Sequence, residues 1–383
     1  MINTDENCGG CNFSCLNDRR GSGSLKWDYW KERGRSESLI PMWVADTDFK
    51  TCSRITKDII DTANHAIYGY SEPKDDYFSV LQKWHYDRYG LTVEKDYWVQ
   101  TPGLVFALAH FVRALTQEND AVLICNPVYY PFSEVVVENN RKLVVAPLNY
   151  DKKSGEYSLD YAAIEAKIKE NAVKLWFFCS PHNPVGRVWT KEELKKVGEI
   201  AKKHGVFIVS DEIHCDIVYS ERKHTVFWCA DESFADFSAV MTSRGKSFNI
   251  AGLQIGEVFI KDKAVREKFK QEIVKSGYSQ RNIFGLIGTR AAYLAGADYL
   301  DELVPYLQKT RDYLTAFIKS ELPKFKASPV QGTYLSWVNM SAVTDNHTEL
   351  KAFVEDKAGL WLDSGTMFGK SGAGFERINF AAP

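Results

Sequence analysis

The stretch KLWFFCSPHNPVGRVWTKEELKKVGEIAKKHGVFIVSDEIH, residues 174–214, contains the pattern that decides the fold. Two short apolar runs, KLWFF (174–178) and VFIVS (206–210), flank an amphipathic stretch at 191–204. Apolar runs of this length indicate buried strands, and the amphipathic stretch between them indicates a crossover helix. The stretch therefore predicts one strand–helix–strand unit of a parallel sheet.

The same alternation extends over about residues 100 to 260, which is typical of an α/β fold with a mostly parallel sheet between helices. An amphipathic stretch is present at 160–170, and further strands are expected at 121–125, 142–146, 238–242 and 256–260. The part after residue 290 is more helical and ends in mixed segments around YLSWVNM and ERINF. Because 383 residues exceed the usual size of one compact domain and no linker interrupts them, we expect two interwoven domains.

The charge balance excludes several classes of partner. Lys and Arg number 48 against 50 Asp and Glu, which gives a net charge of -2 without a basic block. Such a chain offers no electrostatic surface for nucleic acid or an anionic membrane. The first residues, MINTDENCGG, lack the basic start and apolar run of a secretory signal, and no later run has the length of a membrane span. The sequence predicts a cytoplasmic protein.

The cysteines fall into two groups. CGGCNFSC places Cys8, Cys11 and Cys15 close to metal-ligand spacing, but no second Cys or His pair nearby completes a zinc site. We therefore favour a mobile, oxidisable tail and expect no metal. The other five lie in mostly apolar contexts and are expected to be small core side chains: Cys52, Cys125, Cys179, Cys215 and Cys229.

Unusual polar loops follow four of the predicted strands. They are NPVYYPF (126–132), SPHNPVG (180–186), DEIH (211–214) and SRGKS (243–247). In an open α/β sheet the carboxyl ends of the strands form one edge, and ligands bind there. The four loops therefore predict one site.

Lys246 follows the strand at 238–242, where its amine could enter the cleft or remain a solvated surface group. Gly245, Lys246 and Ser247 also spell the end of the phosphate-loop motif, but the first glycine of that motif is replaced by Val240. A partly desolvated lysine amine is neutral near pH 7 and can form a Schiff base. We therefore predict a Schiff-base lysine.

The neighbouring loops supply polar partners for a planar cofactor. Asp211 directly follows VFIVS, so its carboxylate could protonate a pyridine ring nitrogen, or it could cap a helix. Asn183 lies between two prolines and could donate to a phenolic oxygen or form a turn. One ring of Tyr129 and Tyr130 could stack on the cofactor while the other offers a hydroxyl; core packing is the alternative for both.

Two further positions suit anionic groups. TPGLVFALAHF predicts a glycine turn before an apolar helix, so the amides of Gly103, Leu104 and Val105 could bind phosphate. A lone glycine before a helix is common, and the signal is weak by itself. The guanidinium group of Arg377 has the fork geometry that binds a substrate carboxylate through two hydrogen bonds. The alternative is that Arg377 is an ordinary surface arginine.

Taken together, the chain resembles the fold-type I pyridoxal-phosphate enzymes of the class I/II aminotransferase superfamily, and within it the cystathionine β-lyase or carbon–sulfur β-lyase branch. The resemblance extends from about Arg20 to the end. It rests on several motifs in order: GSGSLKWD (21–28), PMWVADTDF (41–49), YGYSEP (68–73), NPVYYPF, SPHNPVGRVW (180–189), SDEIHCD (210–216) and GKSFNIAGLQ (245–254).

The resemblance implies a role for each site residue. Lys246 resembles the lysine that carries pyridoxal 5′-phosphate, and Arg377 the substrate-carboxylate arginine. The substrate site would also include Asn183 and Ala45. The implied cofactor contacts are Asp211 at the ring nitrogen, Asn183 at the phenolic oxygen with His214 nearby, Tyr129 stacking on the ring, and Ser243, Gly103, Leu104 and Val105 at the phosphate, together with Tyr70 from the neighbouring subunit of a homodimer.

The implied domains are an N-terminal tail (1–20), a small domain (21–55 and 291–383) and a large cofactor domain (56–290).

Three features depart from the family pattern. Gln254 replaces an arginine that binds phosphate in many aminotransferases, and Arg244 and Gly245 replace the usual Pro and Ser. The sequence ends at Pro383, where relatives usually continue into a helix.

The implied activity is β-elimination of a sulfur amino acid such as L-cystathionine or L-cysteine, which gives a thiol or sulfide, pyruvate and ammonia. Lys246 would remove the α-proton, and Tyr130 could assist the leaving group. Transamination uses the same lysine and arginine and stays open. A non-catalytic sensor domain is the third possibility, although the lysine is present and the sequence has no DNA-binding module.

Overall fold

The computed structural model describes residues 12–383. Its centre is a sheet in the order β1-β7-β6-β5-β4-β2-β3. The strands are β1 (Trp98–Thr101), β2 (Ala121–Asn126), β3 (Lys142–Pro147), β4 (Leu175–Cys179), β5 (Phe207–Asp211), β6 (Ser238–Thr242) and β7 (Gly256–Ile260). All six predicted strands are present within one residue of the expected bounds, whereas β1 was not predicted.

One strand runs against the direction expected for a parallel sheet. β2 to β6 pair in parallel, but β7 is antiparallel to both β6 and β1. A parallel return needs a long crossover, usually a helix, and the connection 243–255 holds only the short turn Ala251–Leu253. The chain therefore returns antiparallel, and the sheet is mostly parallel.

Helices cover both faces of this sheet. Two of them match the amphipathic stretches predicted at 160–170 and 191–204. The α-helices among the described residues are α1 (Ser53–His65), α2 (Asp75–Tyr89), α3 (Leu104–Leu115), α4 (Pro131–Glu138), α5 (Tyr161–Asn171), α6 (Lys191–His204), α7 (Phe227–Ala230), α8 (Lys263–Lys275), α9 (Ile283–Ala295), α10 (Ala297–Glu321) and α11 (His347–Ala352).

The strand side chains alternate between two cores. Leu123 of β2 and Trp176 of β4 lie in one buried cluster, whereas Val122 and Phe177 lie in the other. This alternation follows from the period of two in a strand, because both faces are covered. Both faces of the sheet are therefore packed, which leaves its carboxyl edge as the place where a ligand can bind.

A second, antiparallel sheet lies in the C-terminal part and has the order β8-β9-β11-β10. Its strands are β8 (Lys326–Ala327), β9 (Leu335–Asn339), β10 (Asp363–Ser364) and β11 (Phe375–Asn379). Two further pairs of short strands are present. Asn149–Tyr150 pairs with Tyr157–Ser158 in antiparallel orientation, and Ile40–Pro41 pairs with Leu360–Trp361 in parallel orientation. The N-terminal segment is thus joined to the C-terminal part.

The described part of the predicted tail is anchored. Phe13 is buried and packs edge-on against Phe49, with ring centroids 5.3 Å apart. Arg19 forms ion pairs with Asp46 at 2.7 Å and Asp48 at 2.8 Å. The expectation of a mobile tail therefore does not hold for residues 13–19, because an aromatic anchor and two ion pairs fix them.

The cysteines differ partly from expectation. Cys125, Cys179 and Cys215 are buried free thiols, and Cys229 is half-buried. Cys52 is also buried but is disulfide-bonded, so it is not the plain core side chain that was predicted. Cys15 is exposed, while Cys8 and Cys11 lie outside the described residues. Within 12–383 no group of three His, Cys, Asp or Glu side chains has a metal-binding arrangement.

No helix in the described part of the chain is both long enough and apolar enough to cross a bilayer.

Candidate active site

The polar loops that follow β2, β4, β5 and β6 meet at one edge of the large sheet. The amide of Tyr129 donates to the carbonyl of Asn183 at 3.1 Å, which joins the first two loops. The amide of Ser180 donates to the carbonyl of Asp211 at 2.9 Å, and this contact joins the second loop to β5. Backbone hydrogen bonds therefore fix these loops against one another, as the strand order predicts.

Lys246 lies in the loop after β6 and is half-buried. Its Nζ donates to the carbonyl of Ala45 at 2.6 Å. Burial and the positive charge of Arg377 lower the pKa of Lys246 to about 8, against the opposing pull of Asp46 and Asp211. Near neutral pH an appreciable fraction of this amine is therefore unprotonated and can act as a nucleophile or a base.

Asp211 is the last residue of β5 and is only 4% exposed. Its Oδ1 accepts a hydrogen bond from the amide of Ile213 at 3.1 Å. Burial raises the pKa of Asp211 to about 7, with the nearby Lys246 charge opposing the rise. The negative charge of a carboxylate buried in this way is poorly compensated by its surroundings, so a cationic partner would stabilise it.

His214 lies one turn further along the same loop and is buried. Its Nδ1 has no hydrogen-bond partner within the described chain. Burial, Lys246 and Arg377 lower the pKa of His214 to about 3, so the ring is neutral. It lies edge-on to the ring of Tyr334, at 5.9 Å between centroids. The ring nitrogen is thus available for a bound group.

Arg377, in β11, is buried and faces the site. Its Nη1 donates to Oδ1 of Asn183 at 3.1 Å, and its Nη2 donates to the carbonyl of Trp43 at 2.7 Å and to the carboxylate of Asp363. The guanidinium also lies 4.9 Å from the ring centroid of Phe368. The surface-arginine alternative is wrong, because three partners orient this buried fork.

Three of the predicted phosphate positions lie at the start of α3, and the fourth, Ser243, lies directly after β6. Gly103 precedes the helix with a φ of 127°, in the region that favours glycine, and the amides of Leu104 and Val105 open the helix. A Cβ at Gly103 would lie 3.4 Å from Oε1 of Gln254, so the residue that replaces the family arginine borders this turn. The hydroxyl of Ser243 donates to the carbonyl of Ile255 at 2.6 Å.

Tyr129 and Tyr130 are neighbouring half-buried tyrosines. Tyr130 is half-buried, and burial together with the charge of Asp363 raises its pKa, so its hydroxyl keeps its proton. Burial also raises the pKa of Tyr129, whose ring centroid lies 5.4 Å from that of Tyr130. Tyr70 does not join the site of its own chain, since its side chain is 90% exposed.

The sequence did not indicate how the PMWVADTDF segment is held over the site. Nδ2 of Asn249 donates to the carbonyls of Thr47 and Phe49, and Nδ2 of Asn379 donates to the carbonyls of Val44 and Asp46. The hydroxyl of buried Tyr334 donates to the carbonyl of Ala45 at 3.0 Å, beside Lys246. No local pattern marks Asn249, Asn379 or Tyr334.

A fully buried ion pair lies behind Lys246. Arg244 donates to the carboxylate of Asp216, and its Nη2 also donates to Oγ1 of Thr242 at 2.5 Å. The hydroxyl of Ser247 donates to the same carboxylate. Asp216 therefore contacts side chains on both sides of Lys246 and joins the loop after β5 to the loop after β6.

Comparisons with known proteins cover nearly the whole chain. The model of the family described as aminotransferase class I and II matches residues 39–383. Cystathionine beta-lyase PatB of Bacillus subtilis (strain 168) is 37% identical over 368 residues, which span 96% of this chain and 95% of that protein.

Solved structures show the same fold. A PLP-bound protein of Clostridium difficile 630, assigned as an aminotransferase, superposes with a TM-score of 0.95 and 37% identity, covering 97% of this chain and 96% of that chain. A PLP-bound C-S lyase of Staphylococcus hominis, complexed with the inhibitor L-cycloserine, superposes with a TM-score of 0.91 and 32% identity. The match covers 97% of this chain and 95% of that chain.

Proposed function

The chain belongs to the aminotransferase class I and II family, and from this premise we propose that it is a pyridoxal-phosphate-dependent carbon–sulfur β-lyase. Its substrates are amino acids with a sulfur leaving group on the β-carbon, such as L-cystathionine or L-cysteine. With water, the reaction gives a thiol or sulfide, pyruvate and ammonia. The observation that carries the proposal is the partly buried Lys246 amine, with its lowered pKa, opposite buried Asp211.

The residues present fit pyridoxal phosphate. Asp211 is a buried carboxylate with a pKa of about 7, and the nearby His214 Nδ1 has no partner within the described chain. A protonated ring nitrogen at Asp211 and an oxygen near His214 would compensate both groups. Lys246 would hold the aldehyde carbon, Asn183 the phenolic oxygen and Tyr129 the ring face. The helix start at Gly103, Leu104 and Val105, together with Ser243, would hold the phosphate.

When bound, pyridoxal phosphate draws electrons from the α-carbon of an attached amino acid. Arg377 binds the substrate carboxylate, oriented by Asn183 and the carbonyl of Trp43. Nζ of Lys246 then takes the α-proton, which its lowered pKa permits near neutral pH. Ala45 places its carbonyl beside this amine, and so borders the substrate. The protonated hydroxyl of Tyr130 can donate to the departing sulfur.

We also propose a homodimer with shared active sites. Ile67, Tyr68 and Tyr70 form an exposed apolar run at 66%, 56% and 90% exposure. Exposed apolar surface of this kind is characteristic of interaction sites. Tyr70 would reach the phosphate site of the partner copy, since it takes no part in the site of its own chain.

We propose the domain division given by the sequence, namely a small domain of 21–55 and 291–383 and a large domain of 56–290. The pairing of Ile40–Pro41 with Leu360–Trp361 supports the joining of the two distant segments. We propose a cytoplasmic location, as the sequence predicts; the free thiols of Cys125, Cys179 and Cys215 agree with it, whereas the disulfide-bonded Cys52 does not.

Transamination is the second candidate, because the Clostridium difficile structure is assigned to that activity. Both reactions begin with loss of the α-proton, and only the lyase needs a leaving group at the β-carbon. The holoenzyme should release pyruvate from L-cystathionine without any keto acid, and none from L-alanine. Absence of pyruvate, together with conversion of an added keto acid to its amino acid as the donor is consumed, would show an aminotransferase.

A further inference from the structure

The guanidinium of Arg377 has few hydrogens left for a ligand. It carries five N–H groups, two on each Nη and one on Nε. Nη2 donates to the carbonyl of Trp43 at 2.7 Å and to the carboxylate of Asp363, which uses both of its hydrogens. Nη1 donates to Oδ1 of Asn183 at 3.1 Å, and Nε has no hydrogen-bond partner within the described chain. The remaining hydrogens are therefore the one on Nε and the second one on Nη1.

A carboxylate that binds through two hydrogen bonds needs a hydrogen of Nη2. A guanidinium offers a carboxylate two parallel pairs of N–H groups, either Nη1 with Nη2 or Nε with Nη2. Both pairs include Nη2, whose hydrogens are already donated within the chain. The full fork of Arg377 can therefore hold a substrate carboxylate only after one acceptor of Nη2 has withdrawn.

Of these two acceptors, Asp363 is the one that can withdraw. The carbonyl of Trp43 belongs to the backbone, and the Trp43 ring stacks on Trp361 at 4.6 Å between centroids. Asp363 instead contributes a side chain, and it lies directly opposite Arg377 in the pairing of the edge strand β10 with β11. A change of rotamer at Asp363 alone would free the second half of the fork.

A second cation lies within electrostatic reach of Asp363. Arg33 and Asp363 both line a cavity of about 430 Å³. Burial raises the pKa of Asp363, and the charges of Arg377 and Arg33 oppose that rise. The guanidinium of Arg33 lies 4.6 Å from the ring centroid of Trp43, and among residues 12–383 no carboxylate forms an ion pair with it. Arg33 is thus a cation that can receive a displaced carboxylate.

We propose that Asp363 is a displaceable counter-ion, which occupies Arg377 in the empty site and turns to Arg33 when the substrate carboxylate takes its place. It keeps the buried guanidinium neutralised between turnovers, since a buried charge without a counter-ion is costly. The affinity for substrate then includes the cost of displacing Asp363. The inference rests on the proposed function, because it takes Arg377 as the group that binds the substrate carboxylate.

The test compares L-alanine, which has no leaving group, with ethylamine, which has an amine but no carboxylate. The holoenzyme is titrated with each compound, and the half-saturating concentration is read from the visible absorbance of the bound cofactor. Asp363→Asn should lower the half-saturating concentration of L-alanine about tenfold, because the competing charge is removed. For ethylamine the change should stay within about twofold, since no carboxylate competes.

A purely orienting role for Asp363 predicts the opposite sign. If Asp363 only holds the fork of Arg377 in place, Asp363→Asn should raise the half-saturating concentration of L-alanine. That result, or an unchanged value, would overturn the displacement. Kinetics give a second readout, because Asp363→Asn should lower KM for S-ethyl-L-cysteine about tenfold and leave kcat within about twofold.

The receiving cation is tested separately. Arg33→Met should raise the half-saturating concentration of L-alanine about threefold. The same substitution in the Asp363→Asn protein should have no effect, since no displaced charge remains to be received. No effect of Arg33→Met alone, or the same factor in both proteins, would overturn the role of Arg33, because a general electrostatic effect does not depend on Asp363.

Arg20→Met is the matched control for Arg33→Met. Arg20 also lies over a tryptophan, 5.3 Å from the centroid of Trp27, but does not line the cavity. It should leave the half-saturating concentrations of L-alanine and ethylamine at their wild-type values.

Failure of this inference and failure of the proposed function give different results. If the wild-type holoenzyme releases pyruvate from S-ethyl-L-cysteine but Asp363→Asn does not tighten the binding of L-alanine, the displacement is wrong and the proposed function stands. If the wild-type holoenzyme releases no pyruvate but Asp363→Asn tightens the binding of L-alanine, the lyase function fails and the displacement stands.

Discussion

Asp211 lies in an environment that is costly for a carboxylate without a cofactor. Burial raises its pKa from 3.8 to about 7, so the folded state holds this proton more tightly than the unfolded chain does. The stability cost therefore grows as pH rises from about 4 to about 7, and is complete above that range. Asp211→Asn should stabilise the cofactor-free protein more at pH 8 than at pH 5, by on the order of 2 kcal/mol.

Thermal unfolding of both proteins at the two pH values measures this effect. With pyridoxal phosphate bound the order should reverse, because the wild-type carboxylate then pairs with the protonated ring nitrogen and the amide cannot. Identical unfolding temperatures for the two proteins at both pH values, with and without pyridoxal phosphate, would rule out the buried carboxylate as the partner of the cofactor.

At the residue scale, the sequence predicts side chains that lie at a strand end or shortly after it. The structure places Asp211 at the end of β5 and Lys246 four residues after β6, because a strand end fixes where the next residues emerge. Asn249, Asn379 and Tyr334 could not be found, since each contacts carbonyls of a segment distant in sequence. Their positions depend on tertiary packing, which no local pattern encodes.

At the element scale, the Asp216 carboxylate connects the two loops that carry Asp211 and Lys246. Arg244 is fully buried beside it, so removing the acid leaves a buried charge without its counter-ion. Asp216→Asn should therefore lower the free energy of unfolding by about 3 to 5 kcal/mol. It should also change the pH dependence of cofactor capture, because the loop around Lys246 loses its anchor.

Urea unfolding and the rate of pyridoxal phosphate uptake against pH measure these two effects. Lys57→Met is the control, because it breaks an exposed ion pair with Asp61 and should cost less than about 0.5 kcal/mol. An Asp216→Asn protein as stable as this control, with wild-type uptake at every pH, would show that the buried pair does not position the lysine.

Strand existence was predictable, but strand direction was not. Gly256–Ile260 is buried along its whole length, and a strand can be buried in this way in either direction. The antiparallel direction of this strand follows from the connection between β6 and β7, because that connection lacks a crossover helix. Trp98–Thr101 was missed because its four residues form too short a run to give a clear period.

At the scale of the whole molecule, the ordered motifs predicted the family and the α/β architecture. A cavity of about 430 Å³ could not be predicted, because its lining comes from segments near residues 32–43 and 347–376 that meet only in the folded chain. Sequence patterns report single elements well, whereas such a cavity depends on how distant elements pack.

The proposed dimer predicts complementation between two defective proteins. Lys246→Ala and Tyr70→Ala each disable a different contribution to one shared site. A mixed dimer should hold one intact site, so unfolding and refolding the two proteins together should restore about one quarter of the wild-type rate. Light scattering should give the mass of two chains.

Refolding each variant separately and mixing afterwards is the control, and it should restore nothing if subunit exchange is slow. A single-chain mass, or a co-refolded mixture no more active than the sum of its parts, would contradict a site shared between two copies.

The most direct test of the account is to locate the lysine that holds the cofactor. The protein is loaded with pyridoxal phosphate, reduced with borohydride, digested, and the modified peptide is identified by mass spectrometry. The account predicts one phosphopyridoxyl group per chain on Lys246, and none at that position in Lys246→Arg. A modification on a different lysine, or no cofactor retained after reduction, would contradict it.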